Sequence, residues 1–361
     1  MTAATTLAQS DSARAQNKAR PRAVAAWLLA CAGLVAGTVL LGGLTRLTGS
    51  GLSIVEWKPV TGVLPPLSQA DWQALFLKYQ QTPEFRLVNS AMTLDGFKGI
   101  FWLEYLHRLL GRLIGVAFLL PLVWFAVRGA IPQGYGWRLA ALFVLGGLQG
   151  LLGWLMVQSG LVDRPQVSHL RLAAHLGLAV VILAALVWVA LDLLRGPGTP
   201  ALAGHPRVAV TRRLGWGALA LTGLTILAGA LVAGLDAGLS FNTFPRMAGQ
   251  WVPDGLLHLD PWWRNLLDNV ITVQWQHRLL GGATLAAVLV VSWHGLRTPL
   301  DGADRWPFRL LPVAVLAQVG LGVATLLLAV PMPLAVAHQA GAVAVVGLLV
   351  WAVHVTSAPA R

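Results

Sequence analysis

Eight runs of apolar residues, each about as long as a bilayer is thick, leave this chain few places to fold except inside a membrane. A lipid core needs roughly 20 apolar residues per crossing helix. Runs of that length lie near residues 24–44, 105–127, 139–160, 172–191, 214–235, 270–295, 310–330 and 334–355. Backbone at that depth has no water to bond with, so it must satisfy itself, and runs this long do so as helices. Composition agrees: 56% of residues are hydrophobic and 11% are charged, with the charges gathered between the runs. The fold class that follows is an all-α integral membrane protein with eight transmembrane helices, its first partner being the lipid bilayer.

The net charge is +12, from 26 Lys and Arg against 14 Asp and Glu. In short membrane loops such an excess sets topology, so no nucleic acid is expected as a partner. Fourteen basic residues fall on the side of the N terminus, including Arg14, Lys18, Arg20, Arg22, Arg128, Arg138 and Arg195. Nine fall on the other side, five of them in residues 45–103 beside four acids. Both termini are therefore expected on the cytoplasmic side, with the long connections outside. The apolar run after the basic N-terminal tail is too long for a signal-peptide core and reads as a retained helix. The tail's Ala, Ser and Arg also suit a mitochondrial presequence. The Ala, Leu, Gly and Val bias places the chain first in a bacterial inner (plasma) membrane and second in the mitochondrial one. Cys31, the only cysteine, precludes an intramolecular disulfide and any CxxC metal or redox site.

The chain also repeats itself. EYLHRLLGRLIG (104–115) and QWQHRLLGGATL (274–285) share HRLLG at a separation of 170 residues. LQGLLGWL (148–155) matches AQVGLGVA (317–324), and AAHLGLAV (173–180) matches VAHQAGAV (336–343). A four-helix unit occurring twice in one orientation predicts two tandem pseudo-symmetric four-helix bundles with two equivalent sites. The boundaries that follow are a tail over 1–23, a first half over 24–194, a linker over 195–213, a second half over 214–355 and a tail over 356–361. The long connections carry Trp57, Pro65, Pro66, Trp72 and Phe76 in the first half and Phe241, Phe244, Trp251, Pro253, Trp262 and Trp263 in the second. Both read as ordered caps, some of these aromatics being interfacial anchors.

Four of the nine histidines share an address. His107, His175, His277 and His338 each lie one to two turns inside the outer end of an even-numbered helix. A polar group at that depth is costly unless paired, hydrated or ligating. A single membrane histidine is readily explained as a packing residue; four recurring at duplicated positions call for a common cause. Two imidazoles at one height on helices of one bundle suit the two faces of a planar macrocycle, whereas zinc wants three or four ligands. The pairing expected is His107 with His175 and His277 with His338, each ligating a haem iron. Gly111, Gly115, Gly177, Gly281, Gly282 and Gly341 lie within two turns of these histidines, where they would admit a ring edge or pack helices. Arg108 and Arg278 follow their histidines at the interface and could pair with haem propionates or snorkel to lipid phosphate. Glu104, one turn outside His107, has Gln274 as its counterpart. An ionisable group at one site only suggests chemistry in the first half and electron transfer or structure in the second.

At this point GGLTRLTGSGLSIVEWKPVTGVLPP (42–66), YQQTPEF (79–85), MTLDGFKGIFWLEYLHRLLGRLIG (92–115), FNTFPRMAGQWVP (241–253) and QWQHRLLGG (274–282) can be taken together. The chain resembles the haem A synthase family, in the subclass of alphaproteobacteria and mitochondria that lacks a pair of loop cysteines. The resemblance implies an oxidoreductase that converts the ring methyl of haem O to the formyl of haem A, through two hydroxylations and loss of water from a gem-diol. It implies haem b as a cofactor on His277 and His338, with Arg278 nearby. Substrate haem would lie by His107, His175 and Arg108, with Glu104 catalytic. Haem O would come from a haem O synthase and haem A pass to haem-copper oxidase assembly machinery. An unidentified electron donor completes the partners, and a homo-oligomer is compatible with it. Two other readings stay open here: a di-haem electron-transfer cytochrome, which needs no carboxylate at one site, and a carrier built of duplicated bundles.

Overall fold

The computed structural model describes residues 19–357 except 60, 163 and 196–204. The tail up to residue 18, the middle of the 195–213 linker and residues 358–361 lie outside the described residues. Among the described residues eight helices are long and apolar enough to cross a membrane. They are α1 (Pro21–Leu47), α2 (Leu94–Val127), α3 (Gly136–Gln158), α4 (His169–Arg195), α5 (Pro206–Gly234), α6 (Val270–Leu296), α7 (Trp306–Leu327) and α8 (Met332–Val355). The other secondary structure described is short helices and one isolated bridge between Met247 and Gln250.

Local signals account for the ends. Pro21 and Pro206 begin α1 and α5, where the missing N–H has no partner to lose. Asn269 caps α6 by accepting from the backbone of Ile271 at 3.0 Å. Thr93 caps α2 in the same way through Gly96 at 3.3 Å, so α2 starts eleven residues before its apolar run. That extra length stands beyond the apolar span and serves as a post for the first connection.

Neighbour relations are the same in each half. In the first, α1 packs on α2 and α4, and α3 packs on α2 and α4. In the second, α5 packs on α6 and α8, and α7 packs on α6 and α8. Each set of four is thus a ring in which the histidine-bearing helices stand on a diagonal. Between the sets, α4 contacts α5 and α8, and α8 contacts α1.

Apolar packing fills one end of each ring. Val24, Leu28, Val35, Phe118, Leu139, Leu142, Ile182 and Leu186 form the first core, and Ala218, Val288, Val291, Phe308, Leu311, Val345 and Leu349 the second. All lie toward the ends of the helices remote from the long connections. At the other end, the loop face, Arg46 at the end of α1 donates to Asp236 at the end of α5 (2.7 Å), and His169 of α4 meets Asp268 (3.0 Å).

The first connection is a real cap. Its helix Gln69–Gln80, opened by a Ser68–Asp71 capping box, lays Trp72, Phe76 and Tyr79 against Phe97 and Phe101 of α2. In the second connection Trp251, Trp262 and Trp263 are exposed, as interfacial anchors would be.

At the face opposite the loops, Asp192 of α4 joins the halves. Its carboxylate accepts from Arg138 of α3 (2.7 Å) and meets His354 Nε2 of α8 (2.8 Å). Replacing Asp192 by Ala leaves the half-buried Arg138 guanidinium and the buried His354 imidazole without their acceptor, and loss of a hydrogen bond to a charged group typically costs about 1.5–3 kcal/mol. We expect a clear fall in the thermal unfolding midpoint of detergent-solubilised Asp192→Ala. Asp95→Ala, which breaks an exposed pair with Lys98, should change stability by less than about 1 kcal/mol.

Candidate haem sites

Each histidine is set by its helix position. His175, His277 and His338 fall six or seven residues into α4, α6 and α8, roughly 10 Å from the helix start. His107 lies deeper in α2 only because that helix begins beyond the apolar span. All four are half-buried, above the apolar cores. His107 and His175 thus stand on the diagonal helices of one ring, and His277 and His338 on those of the other.

One contact recurs at all four. Each imidazole lies against a glycine of the preceding helix. A Cβ added at Gly42 of α1 would come 2.7 Å from Cε1 of His107, and one at Gly153 of α3 3.0 Å from that of His175. In the second half the figures are 2.9 Å for Gly229 of α5 on His277 and 2.7 Å for Gly322 of α7 on His338. At Gly42, Gly229 and Gly322 a real Cβ does not fit without moving the ring, and at Gly153 the ring must give slightly, so these glycines allow the rings to stand where they do.

Sequence reasoning singled out other glycines. At Gly111, Gly115, Gly281 and Gly282 a Cβ would meet nothing within 4 Å, so no helix presses there. Gly177 instead packs under Leu227, and Gly341 under the Gln318 side chain. The signal for the right ones was present: Gly153 and Gly322 align within the repeated third and seventh helices. Gly42 and Gly229 also share a separation of 187 with the GLS of 51–53 and 238–240.

Hydrogen bonds then separate the two pairs. Nδ1 of His277 meets the carbonyl of Thr225 at 3.1 Å, and Nδ1 of His338 that of Gln318 at 3.2 Å. Donation there leaves Nε2 with its lone pair free, the usual arrangement of a metal-bound imidazole. In the first half Nδ1 of both His107 and His175 is buried without a partner. The Gln149 amide stands 3.4 Å from Nε2 of His175 and donates to its carbonyl at 3.0 Å. Among the described residues no three His, Cys, Asp or Glu side chains converge as a bare-metal site. Two imidazoles on a ring diagonal, each with a glycine at its flank, are a donor set that fits haem.

Glu104 is 2% exposed. Its carboxylate accepts from Ser53 Oγ (2.6 Å), from the backbone of Ile54 (2.7 Å) and from Arg108. Arg108 also donates to the carbonyls of Ile54 (2.7 Å) and Glu56 (3.0 Å). The acid and the guanidinium therefore tie the first connection down onto α2. In the second half Gln274 donates to the Phe241 carbonyl (3.1 Å), and Arg278 to those of Phe241 and Thr243, both at 2.8 Å. Arginine grips the same two carbonyl positions, 54 and 56 against 241 and 243. Only the first half adds a charged carboxylate. Both NH groups of Arg278 are so committed, while its Nε is buried without a partner.

Beside Arg108 a cavity of about 410 Å³ opens under the first connection, lined by Lys58, Lys78, Tyr105, Arg108 and Arg112 among others. Lys58 and then Lys78 hold the Glu56 carboxyl below the usual range through hydrogen bonds.

Residues 25–350 match the COX15-CtaA family, described as cytochrome oxidase assembly protein. "Heme A synthase" of Rhodospirillum centenum is 52% identical, over 98% of this chain and 94% of its own length. That of Nitrosospira multiformis is 49% identical, covering 94% and 95%. "Heme A synthase COX15" of Bos taurus is 45% identical, covering 93% and 82%.

The glycine contacts can be tested one at a time. Gly229→Ala and Gly322→Ala should displace His277 and His338 and lower the haem bound per chain, read from the optical spectrum of purified protein. Gly320→Ala, where a Cβ meets nothing within 4 Å, should leave haem content unchanged.

Proposed function

The chain belongs to the COX15-CtaA family of cytochrome oxidase assembly proteins, and from that membership we propose that it acts as a haem A synthase, a membrane enzyme working on haem. Its reaction is oxidation of the ring methyl of haem O to the formyl of haem A by successive hydroxylations. The observation that carries this reading is the difference between two otherwise matching sites: Glu104 with histidines whose Nδ1 atoms have no partner in one, Gln274 with histidines anchored through Nδ1 on backbone carbonyls in the other.

The second half, 214–355, is the resident site. His277 and His338 would hold haem b, each ring being fixed by its Nδ1–H on a backbone carbonyl so that Nε2 is free to ligate. When bound, haem b would supply one-electron transfer between the substrate site and an external carrier. Arg278, whose Nε is buried without a partner, would offer a haem propionate a charged donor.

The first half, 24–194, is the substrate site. His107 and His175 position haem O with rings braced by Gly42 and Gly153, without an Nδ1 bond of their own. A site that must release its product is served by that weaker hold. Arg108 contributes positive charge at the rim and keeps the connection closed over it. Glu104 acts at the methyl carbon. Its negative charge favours positive charge developing there, and in the last step it takes a proton from one hydroxyl of the gem-diol. Returning that proton to the second hydroxyl releases water and leaves the formyl.

We place the chain in a bacterial inner membrane with both termini cytoplasmic and the histidine sites near the outer face. Haem O synthase supplies it and oxidase assembly consumes its product.

Expression with a haem O supply, followed by chromatography of extracted haems, tests the activity. Haem A should appear with the unaltered chain, and Glu104→Gln should lower its yield by about 100-fold or more while leaving haem b bound. No haem A from the unaltered chain would sink the proposal.

A further inference from the structure

Gln149 and Gln318 hold the same place in the repeated third and seventh helices, four residues before Gly153 and Gly322. A side-chain amide within the apolar span is costly until it finds partners, so each glutamine takes what its own ring offers. In the second half the Gln318 side chain lies over Gly341 of α8, where a Cβ would come 2.1 Å from its Oε1. Its backbone carbonyl takes Nδ1 of His338 at 3.2 Å, and among the described residues no side chain contests Nε2 of that ring. In the first half the residue matching Gly341 is Leu178, packed against the first apolar core. A leucine there leaves no such niche. Gln149 turns to its histidine instead: the amide nitrogen donates to the His175 carbonyl at 3.0 Å and stands 3.4 Å from Nε2, while Oε1 is buried without a partner.

The two arrangements select a tautomer by opposite means. A neutral imidazole carries its proton on one nitrogen and accepts at the other. Carbonyls at Nδ1 of His277 and His338 hold the proton there and leave Nε2 open to a metal. Nδ1 of His175 has no partner. The amide that faces its Nε2 is a donor, so it favours the same tautomer but engages the lone pair that a metal would take. A carbonyl at Nδ1 stays in place when a metal arrives. An amide at Nε2 has to leave.

We propose that Gln149 is the exchange residue of the substrate site, its amide competing with haem iron for Nε2 of His175, so that haem in the first half comes and goes while haem in the second half stays. The amide's hydrogen bond to Nε2 breaks as the nitrogen–iron bond forms, and forms again as the product leaves. Gln149 is a positioning residue that acts through His175, and Leu178 keeps it there. The inference rests on the reading of the first half as the site of the changing haem, which it deepens.

Haemin added to the purified full chain in detergent, with haem b in place, is the probe, and excess apomyoglobin traps what is released. The release phase missing from His175→Ala belongs to the first half. In Gln149→Leu, and in Gln149→Asn, whose amide falls one methylene short, that phase should slow by about threefold or more. Damage to the fold speeds release, so a slower phase cannot come from it. Release as fast as in the unaltered chain, or faster, in either variant overturns the proposal, and so does a His175→Ala chain that has lost no phase. The second half supplies the converse. Gly341→Leu should drive Gln318 toward Nε2 of His338 and lower bound haem b, and adding Gln318→Leu should restore it. Haem b unchanged by Gly341→Leu, or lost and not restored, overturns the competition. An unaltered chain that makes no haem A defeats the activity reading alone, because release is measured without haem O.

Discussion

An imidazole placed within the apolar span of a helix must be held at a fixed angle and given something to bond, or it costs more than it contributes. Here the angle comes from bare backbone. Gly42, Gly153, Gly229 and Gly322 take the flank of one histidine each, always from the preceding helix. Below them the apolar cores close both rings, and above them the connections close the loop face. The depth of both sites is fixed between those two limits. Helix length, the cap on α2 and the aromatic cluster around Phe97 and Phe101 all follow as means of supporting that one layer.

Within this common layer the two halves differ in what holds the rings and what lies beside them. Thr225 and Gln318 anchor one pair through backbone carbonyls, whereas His107 and His175 have no such anchor. Arg108 and Arg278 hold equivalent loop carbonyls, yet only Arg108 also faces a carboxylate. The halves also touch at this level, since Gln339, next to His338, donates to the Val39 carbonyl of α1 at 2.9 Å, one turn from Gly42. A resident haem and a transient one are what such a pair of sites is suited to hold side by side.

Much of this was legible in the residues. Apolar length alone located all eight spanning helices, and the repeated HRLLG marked two of the four histidine positions. The start of α2 was not legible, because Asp95 and Lys98 interrupt the apolar run while Thr93 and the aromatic cap still favour helix there. The bracing glycines were missed for a different reason. A histidine's own helix is read from spacing, but the neighbour that presses on it is decided by packing, so Gly111 and Gly281 were plausible and Gly42 and Gly229 were not considered. Glu104 was seen on the face of His107, but its ties to Ser53 and Ile54 depend on a loop that folds back, which no periodicity reports. The burial of Glu84, 7% exposed within the first connection, was not legible either, because an acid in a surface loop carries no sequence signature of burial.

The central claim is that the second half holds the resident haem and the first half the one that changes. Electron paramagnetic resonance of the purified oxidised protein tests it directly. A low-spin signal of iron between two imidazoles should persist when His107 and His175 are both replaced by Ala, and disappear in His277→Ala or His338→Ala. A signal that survives in the second-half variants and is lost with His107 and His175 would contradict the account.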